Sequence, residues 1–211
     1  MKYKFIDIGC GSFDVSSDYY GNDVNGIYVE PIKEYLDVLP GSKTIIRVNA
    51  AISEINGFLE MTTFPFNEPI RYMSKKHITR LQKSNKSLLG KILVSGCGTF
   101  LNEHSNVNQL GVKRMVKTIT LFDLFNEYNV TEVDHLKIDT EGSEIIILSQ
   151  LLNLMNSGNI KINESITFEY NGLCCKKTLY DIAKKISVDY NFNISFLNEL
   201  CNEDLILTKN N

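Results

Sequence analysis

Apolar positions open this chain in a short run. Residues 3 to 8 (Tyr-Lys-Phe-Ile-Asp-Ile) read as a buried strand ending in Gly9-Cys10-Gly11. A second strand is expected from Gly26 to Glu30, where it meets Pro31. Proline suits the first turn of a helix. Ile32, Tyr35, Leu36 and Leu39 then fall on one helical face until Pro40-Gly41 stops it. Thr44 to Ala51 is predicted as a third strand. Ile52 to Phe64 is predicted as a hairpin around Asn56-Gly57, a strong turn signal.

The rhythm breaks between residues 65 and about 112, which are polar, basic and punctuated by glycine. They read as an insertion that caps the sheet edge. Order resumes with a strand at Val116 to Thr120 and a short helix from Leu121 to Tyr128. Another strand, Val133 to Ile138, is closed by Asp139-Thr140-Glu141-Gly142. Ile145, Leu148, Leu152 and Met155 mark the clearest helix, with Gly158 just past its end. A strand from Glu164 to Glu169, a helix from Thr178 to Tyr190, and strands near Phe192 to Leu197 and Leu205 to Thr208 complete the pattern.

Strands alternating with helices imply an α/β fold, a Rossmann-like, mainly parallel sheet with helices on both faces and right-handed crossovers. The length of 211 residues suits one domain, 1–211, with 65–112 as an insertion and probable acceptor-binding region. The 22% charged residues and the lack of an apolar run of about 18 exclude a membrane span. The net charge of −3 excludes a polycation built for nucleic acid as a whole. The five cysteines have no framework spacing, so free thiols and a reducing, cytoplasmic setting are expected.

Ligands of such sheets bind at the carboxyl ends of the strands. Gly9 permits the tight turn after the first strand, and Gly11 permits close approach of backbone to a ligand. Phe13 stands where a dinucleotide fingerprint places its last glycine, which disfavours a pyrophosphate cradle. Glu30, about twenty residues on, is placed to accept both ribose hydroxyls of an adenosine, or is simply a solvated strand-end acid. Asp139, Thr140 and Glu141 lie at a strand-to-helix junction. Asp139 or Thr140 caps that helix, with Glu141 suited to its positive end, or Asp139 and Glu141 orient a hydroxyl, take its proton or hold the sulfonium end of a cofactor. Glu169 faces the same crevice. His77, His104 and His135 lack metal-ligand spacing. His135 reads as structural, whereas His104, in the loop from Gly96 to Ser105 with Thr99, is a candidate base at the site's border.

Arg71, Lys75, Lys76, Arg80, Lys83, Lys86 and Lys91 form a basic stretch with no acid between Glu68 and Glu103. It reads as a solvated face or as a site for an anionic acceptor, such as a nucleotide-linked glycan or a nucleic acid.

Several of these pieces come in a recognisable order. They are Asp7-Ile-Gly-Cys-Gly11, Val29-Glu30-Pro31, Val48-Asn-Ala-Ala-Ile52 with Gly57, Thr118-Ile-Thr-Leu121 with Asp123-Leu124, and Leu136-Lys-Ile-Asp-Thr-Glu-Gly142 with Glu144 and Leu148. Together they resemble the FkbM-type methyltransferases over most of the chain. The resemblance implies a class I methyltransferase fold and S-adenosylmethionine as cofactor. It implies O-methyl transfer, most often to a sugar, glycan or other small molecule. It places cofactor contacts at Asp7, Gly9, Cys10, Gly11, Glu30, Pro31, Asn49, Ala50, Ala51 and Asp139. It sets Asp139 and Glu141 beside the transfer centre. Lys75, Lys76, Arg80, Thr99, His104 and Glu169 are then the acceptor-side candidates. Mg²⁺ is compatible with Asp139, Glu141 and Glu169 but not required by their spacing. Two alternatives stand beside this reading: an RNA ribose 2′-O-methyltransferase, and a non-catalytic module on the same fold.

Overall fold

The computed structural model describes residues 1–11, 16–21, 23–40, 43–63, 98–99, 112–170, 174–199 and 202–210. The elements are β1 (Lys2–Ile8), α1 (Ser16–Tyr20), β2 (Gly26–Val29), α2 (Lys33–Val38), β3 (Ile45–Val48), β4 (Ala51–Ile52), β5 (Gly57–Thr63), β6 (Gly98–Thr99) and β7 (Val112–Ile119). They continue as α3 (Leu121–Glu127), β8 (Glu132–Ile138), α4 (Glu144–Asn156), β9 (Lys161–Glu169), α5 (Lys176–Tyr190), β10 (Phe192–Glu199) and β11 (Asn202–Lys209).

Seven strands form the main sheet in the order β10-β11-β9-β8-β1-β2-β3. β3, β2, β1, β8 and β9 are parallel, and β11 runs antiparallel to both β9 and β10. β1 lies between β8 and β2, with Phe5, Ile6 and Ile8 fully buried. From it the chain adds β2 and β3 on one side and returns to the other with β8. The switch point of the sheet therefore lies between β1 and β8.

The largest core cluster packs Ile6, Ile27, Leu136, Ile138, Ile166 and Phe168 with Leu148 and Leu151 of α4 and Leu179, Ala183 and Ile186 of α5. The spacing of four and then three residues along α5 is that of one helical stripe. Asn191 ends α5 in a left-handed conformation at φ 59° and its N–H returns to the Ser187 carbonyl. On the opposite face a smaller cluster joins Phe5, Cys10 and Tyr28 to Leu36, Leu39 and Ile45.

A second sheet has the order β4-β7-β5-β6. Here the structure corrects the expected strand and hairpin. β3 stops at Val48 instead of running to Ala51, and the chain leaves the main sheet at Asn49-Ala50. β4 then pairs parallel with β7, Ala51 opposite Thr118, while β5 pairs antiparallel with β7 from Gly57 to Thr63. Asn56 does not serve a hairpin turn. Its side chain accepts from the Thr120 N–H at 2.9 Å and donates to Asp123 Oδ2 at 2.7 Å, which locks the start of α3. Thr120 caps that helix by accepting from the Asp123 N–H. Gln150 of α4 completes the joint, bonding Ser53 and Leu121 backbone groups at 2.9 and 2.8 Å. Of the expected insertion, Gly98–Thr99 pairs with β5 and Val112 already belongs to β7. The remainder lies outside the described residues.

Gly26 pairs with Phe5 across β1 and β2. A Cβ at this position would stand 2.2 Å from the Phe5 ring, which is fully buried and has nowhere to move. Gly26→Ala should destabilise the protein by about 1–3 kcal/mol, the usual cost of overpacking. Phe5→Leu combined with it should cost less than the sum of the two changes. Urea unfolding of the four species of that cycle checks this, and strict additivity would show that the ring is not the obstacle.

Candidate functional site

The carboxyl ends of β1, β2 and β8 surround a cleft. Gly9, Glu30, Pro31, Ala50, Ala51 and Asp139 all line it. Sequence positions separated by up to 130 residues thus meet where the switch-point argument places a ligand.

Gly9 sits at φ 77°, and a Cβ there would come within 1.9 Å of the Asp139 carbonyl oxygen. The glycine is therefore required by the approach of two backbone segments. The Asp139 N–H bonds to the Ile8 carbonyl at 2.9 Å and the Gly9 N–H to the Val29 carbonyl at 2.8 Å, tying the three strand ends together.

Glu30 is 4% exposed. Its Oε2 accepts from the Gly11 N–H at 2.9 Å and its Oε1 from the Ile32 N–H at 2.8 Å. Each oxygen retains a further lone pair. Burial raises its carboxyl to about 7; the two backbone bonds oppose that rise, and the charges of Asp7 and Asp139 add to it. Gly11 thus acts by donating its N–H to Glu30. Asn49 acts beneath the loop, donating to the Glu30 and Pro31 carbonyls at 3.0 and 2.9 Å.

Asp139 follows β8. Its carboxyl is also raised to about 7, first by desolvation and then by the charges of Glu141, Asp7 and Asp204, against the pull of Lys137. Lys137 Nζ lies 3.9 Å from Asp139 Oδ2. The side chain is 43% exposed, so solvent entering the open cleft moderates the shift and a ligand filling it strengthens the shift.

Other expected contacts take supporting places. Asp7 is fully buried and accepts from the N–H and hydroxyl of Ser16 at 2.9 and 3.0 Å, which anchors the start of α1. Cys10 is buried in the Phe5–Tyr28 cluster, and burial pushes its thiol well above the ordinary range, so it packs rather than reacts. Glu141 stands in a left-handed conformation at φ 53°. Glu169 is buried at the end of β9, opposite Asp204. Thr99 is placed only as a residue of β6, while Lys75, Lys76, Arg80, His77 and His104 lie outside the described residues. His135 bonds Ser165 Oγ at 2.9 Å and stacks on Tyr20.

Neither Asp139 nor Thr140 caps α4. Ser143 is the N-cap, and Glu144, 1% exposed, organises the loop instead. Its Oε1 accepts from the Thr140 N–H and hydroxyl at 2.9 and 2.7 Å, and its Oε2 accepts from the Gly142 N–H at 3.0 Å and the Cys174 thiol at 3.3 Å. Sequence reasoning also passed over Thr140, Ser143 and Met61, which line the cleft. The alternation Leu59, Met61, Thr63 in β5 carried a signal for Met61, hidden once the segment was read as a hairpin. Among the described residues no group of three or more His, Cys, Asp or Glu is placed to hold a metal ion. No described helix is long and apolar enough to cross a membrane.

Comparison with curated proteins returns no match. Among solved structures the chain is similar to the human methyltransferase 10 domain containing protein, at 10% identity and a TM-score of 0.42, over 99% of this chain and 72% of that one. The family model for the methyltransferase FkbM domain matches residues 14–179, which span β2, Glu30, the Asp139 loop and β9. The chain belongs to the FkbM methyltransferase family.

Proposed function

We propose that this methyltransferase uses S-adenosylmethionine and methylates a hydroxyl group, most often that of a sugar or glycan. One observation carries the reading: a buried carboxylate just after β2 and a second carboxylate just after β8 line the same switch-point cleft, and among the described residues neither Lys nor Arg lines it. An acidic cleft favours a cationic ligand over a pyrophosphate. Its donor and acceptor set fits the cofactor. Glu30 has lone pairs left for a ribose diol, Pro31, Ala50, Ala51 and Met61 offer an apolar wall for adenine, and Asp139 faces the cationic end.

When bound, S-adenosylmethionine supplies an electrophilic methyl on a sulfonium. The protein's task is then alignment and proton removal. Gly11 and Ile32 hold the Glu30 carboxylate in place by their N–H groups. Glu144 fixes the 140–142 loop, and with it the position of Asp139. Asp139, with a carboxyl near 7, accepts the proton of the acceptor hydroxyl. The basic stretch around Lys75, Lys76 and Arg80 suits a phosphorylated or nucleotide-linked glycan. An RNA ribose is the competing acceptor and would show itself by binding that weakens steeply with salt.

Glu30 makes both stability and binding depend on pH. Its folded pKa lies above the ordinary value, so between about pH 4.5 and 7 the folded state keeps a proton that the unfolded chain has lost. Stability of the free protein should therefore fall as pH rises through that window, by on the order of 3 kcal/mol at most from this group. Hydroxyl donors from a ribose favour the ionised carboxylate, so S-adenosylhomocysteine should bind more tightly at pH 8 than at pH 6. Thermal unfolding and calorimetry across pH test both effects. Glu30→Gln should remove its share of the first, with Asp139 supplying a remainder of the same sign, and weaken binding at pH 8 at least tenfold; a pH profile identical to that of the unaltered protein would remove Glu30 as a contributor.

Calorimetric titration with S-adenosylmethionine, S-adenosylhomocysteine and NAD should give micromolar binding of the first two, about −8 kcal/mol, and none of the third. Binding of NAD alone would overturn the cofactor assignment. With an acceptor in hand, Asp139→Asn should lower kcat by about 10²–10⁴. It should also abolish the rise of kcat/KM through pH 7; a surviving rise would remove Asp139 as the base.

A further inference from the structure

Two thiols stand next to each other where the chain enters α5, and their surroundings act on them in opposite directions. Cys174 is half-buried and directed at the loop that carries Asp139. Its sulfur lies 3.1 Å from the Gly142 carbonyl oxygen and 3.3 Å from Glu144 Oε2, and its one hydrogen is donated there. Burial, and then the Glu144 carboxylate, raise this thiol to about 12, so it stays protonated. Cys175 is exposed and immediately precedes the first residue of α5. That helix opens with Lys176 and Lys177 and has no acid in its first turn. The hydroxyl and N–H of Thr178 favour the Cys175 thiolate and hold the thiol below its ordinary value.

We propose that Cys175 is a site of reversible oxidation by a hydroperoxide, that Cys174 resolves it as a disulfide between the two neighbours, and that the 140–142 loop responds. Three observations carry this. First, the attacking sulfur is open to solvent at a positive helix end, where a thiolate is both stabilised and reachable. Second, the resolving thiol is the preceding residue, so it needs no distant segment to arrive. Third, the hydrogen that resolution removes is the one directed at Glu144 and Gly142. In the first step the Cys175 thiolate bonds to a peroxide oxygen and the oxygen–oxygen bond breaks. Sulfur is oxidised by two electrons to a sulfenic acid, and the leaving oxygen takes up the proton that Cys175 lost on ionising. In the second, the Cys174 sulfur bonds to the Cys175 sulfur and the sulfur–oxygen bond breaks. The departing hydroxide leaves as water with the Cys174 proton. Residue 174 then has no S–H to donate, whatever course the chain takes. Glu144 loses that donor, and Glu144 is the residue that gathers the Thr140 and Gly142 N–H groups. Thr140 and Ser143 line the cleft with Asp139, so the change reaches the cleft through one carboxylate. In a reducing setting such a disulfide is transient and serves sensing. Its effect on methyl transfer rests on the reading of Asp139 as the base; the oxidation and the response of the loop do not.

The test treats the full chain with a modest excess of hydrogen peroxide, blocks free thiols and digests with trypsin. The peptide Ile162–Lys176 carries both thiols and no other cysteine. Mass spectrometry should find it lighter by two hydrogens than the dithiol form, and able to take two alkyl groups after dithiothreitol. Cys174→Ser, whose hydroxyl keeps a donor toward Glu144, should stop at a sulfenic acid that dimedone traps at Cys175. Cys175→Ser should slow oxidation of Cys174 at least about tenfold. Amide hydrogen exchange reads the coupling. Oxidation should speed exchange at Thr140 and Gly142 at least about threefold, dithiothreitol should reverse it, and neither variant should show it. Dimedone on Cys174, a bridge from either thiol to Cys97, Cys201 or a second chain, or an unchanged peptide overturns the pairing. A disulfide that leaves both amides unchanged overturns the link to the cleft. No S-adenosylhomocysteine enters these readouts, so failure here and failure of the cofactor assignment are separate results.

Discussion

The parallel pairing of β1 with β8 is the constraint on which the rest of this molecule depends. Ile8 and Ile138 stand side by side in that register, and the Asp139 N–H continues the ladder to the Ile8 carbonyl. The two following segments come so close that only glycine fits at position 9. Crossovers leave β1 in one direction for β2 and arrive at β8 from the other. The space between their ends is therefore left unfilled by any connection, and it becomes the cleft. Glu30 and Asp139 are brought to this place by topology, since the chain between them is long and passes through a second sheet.

Two carboxylates in one cleft are costly, and the structure meets the cost differently for each. Glu30 is sealed from water, and two backbone N–H groups partly offset its desolvation. Asp139 stays open on one side and is moderated by Lys137. The outcome is a pair of acids near 7 whose environments still differ. One carboxylate is held by two backbone donors and keeps lone pairs for a further bond, and the other stays open to solvent, the kind of difference in environment that separates paired acids.

Much of this was legible in the sequence. The apolar runs of β1, β8 and β9 and the stripe of α4 gave the parallel sheet, and the strand-end rule then picked out Gly9, Glu30 and Asp139, all of which line the cleft. Three things were not legible. The departure of the chain from the main sheet at Asn49-Ala50 depends on β4 finding β7, a partner more than sixty residues away, and no local signal reports such pairing. Asn56-Gly57 looked like a turn because its residue types are turn residues, but Asn56 spends its amide on α3. Glu144 looked like the first residue of a helix, and only the fold shows its carboxylate gathering the N–H groups of the preceding loop.

The two faces of the sheet show how one strand can serve stability and chemistry at once. In Leu136-Lys137-Ile138-Asp139 every second residue enters the core and every other one faces the polar side, because successive side chains in a strand point to opposite faces. Leu136 and Ile138 are buried with α4, which fixes the strand's height in the sheet. That height sets where Lys137 and Asp139 emerge. A one-residue slip would exchange the two sets and place a lysine and an aspartate in the core. The apolar face therefore holds the acids of the candidate site in register.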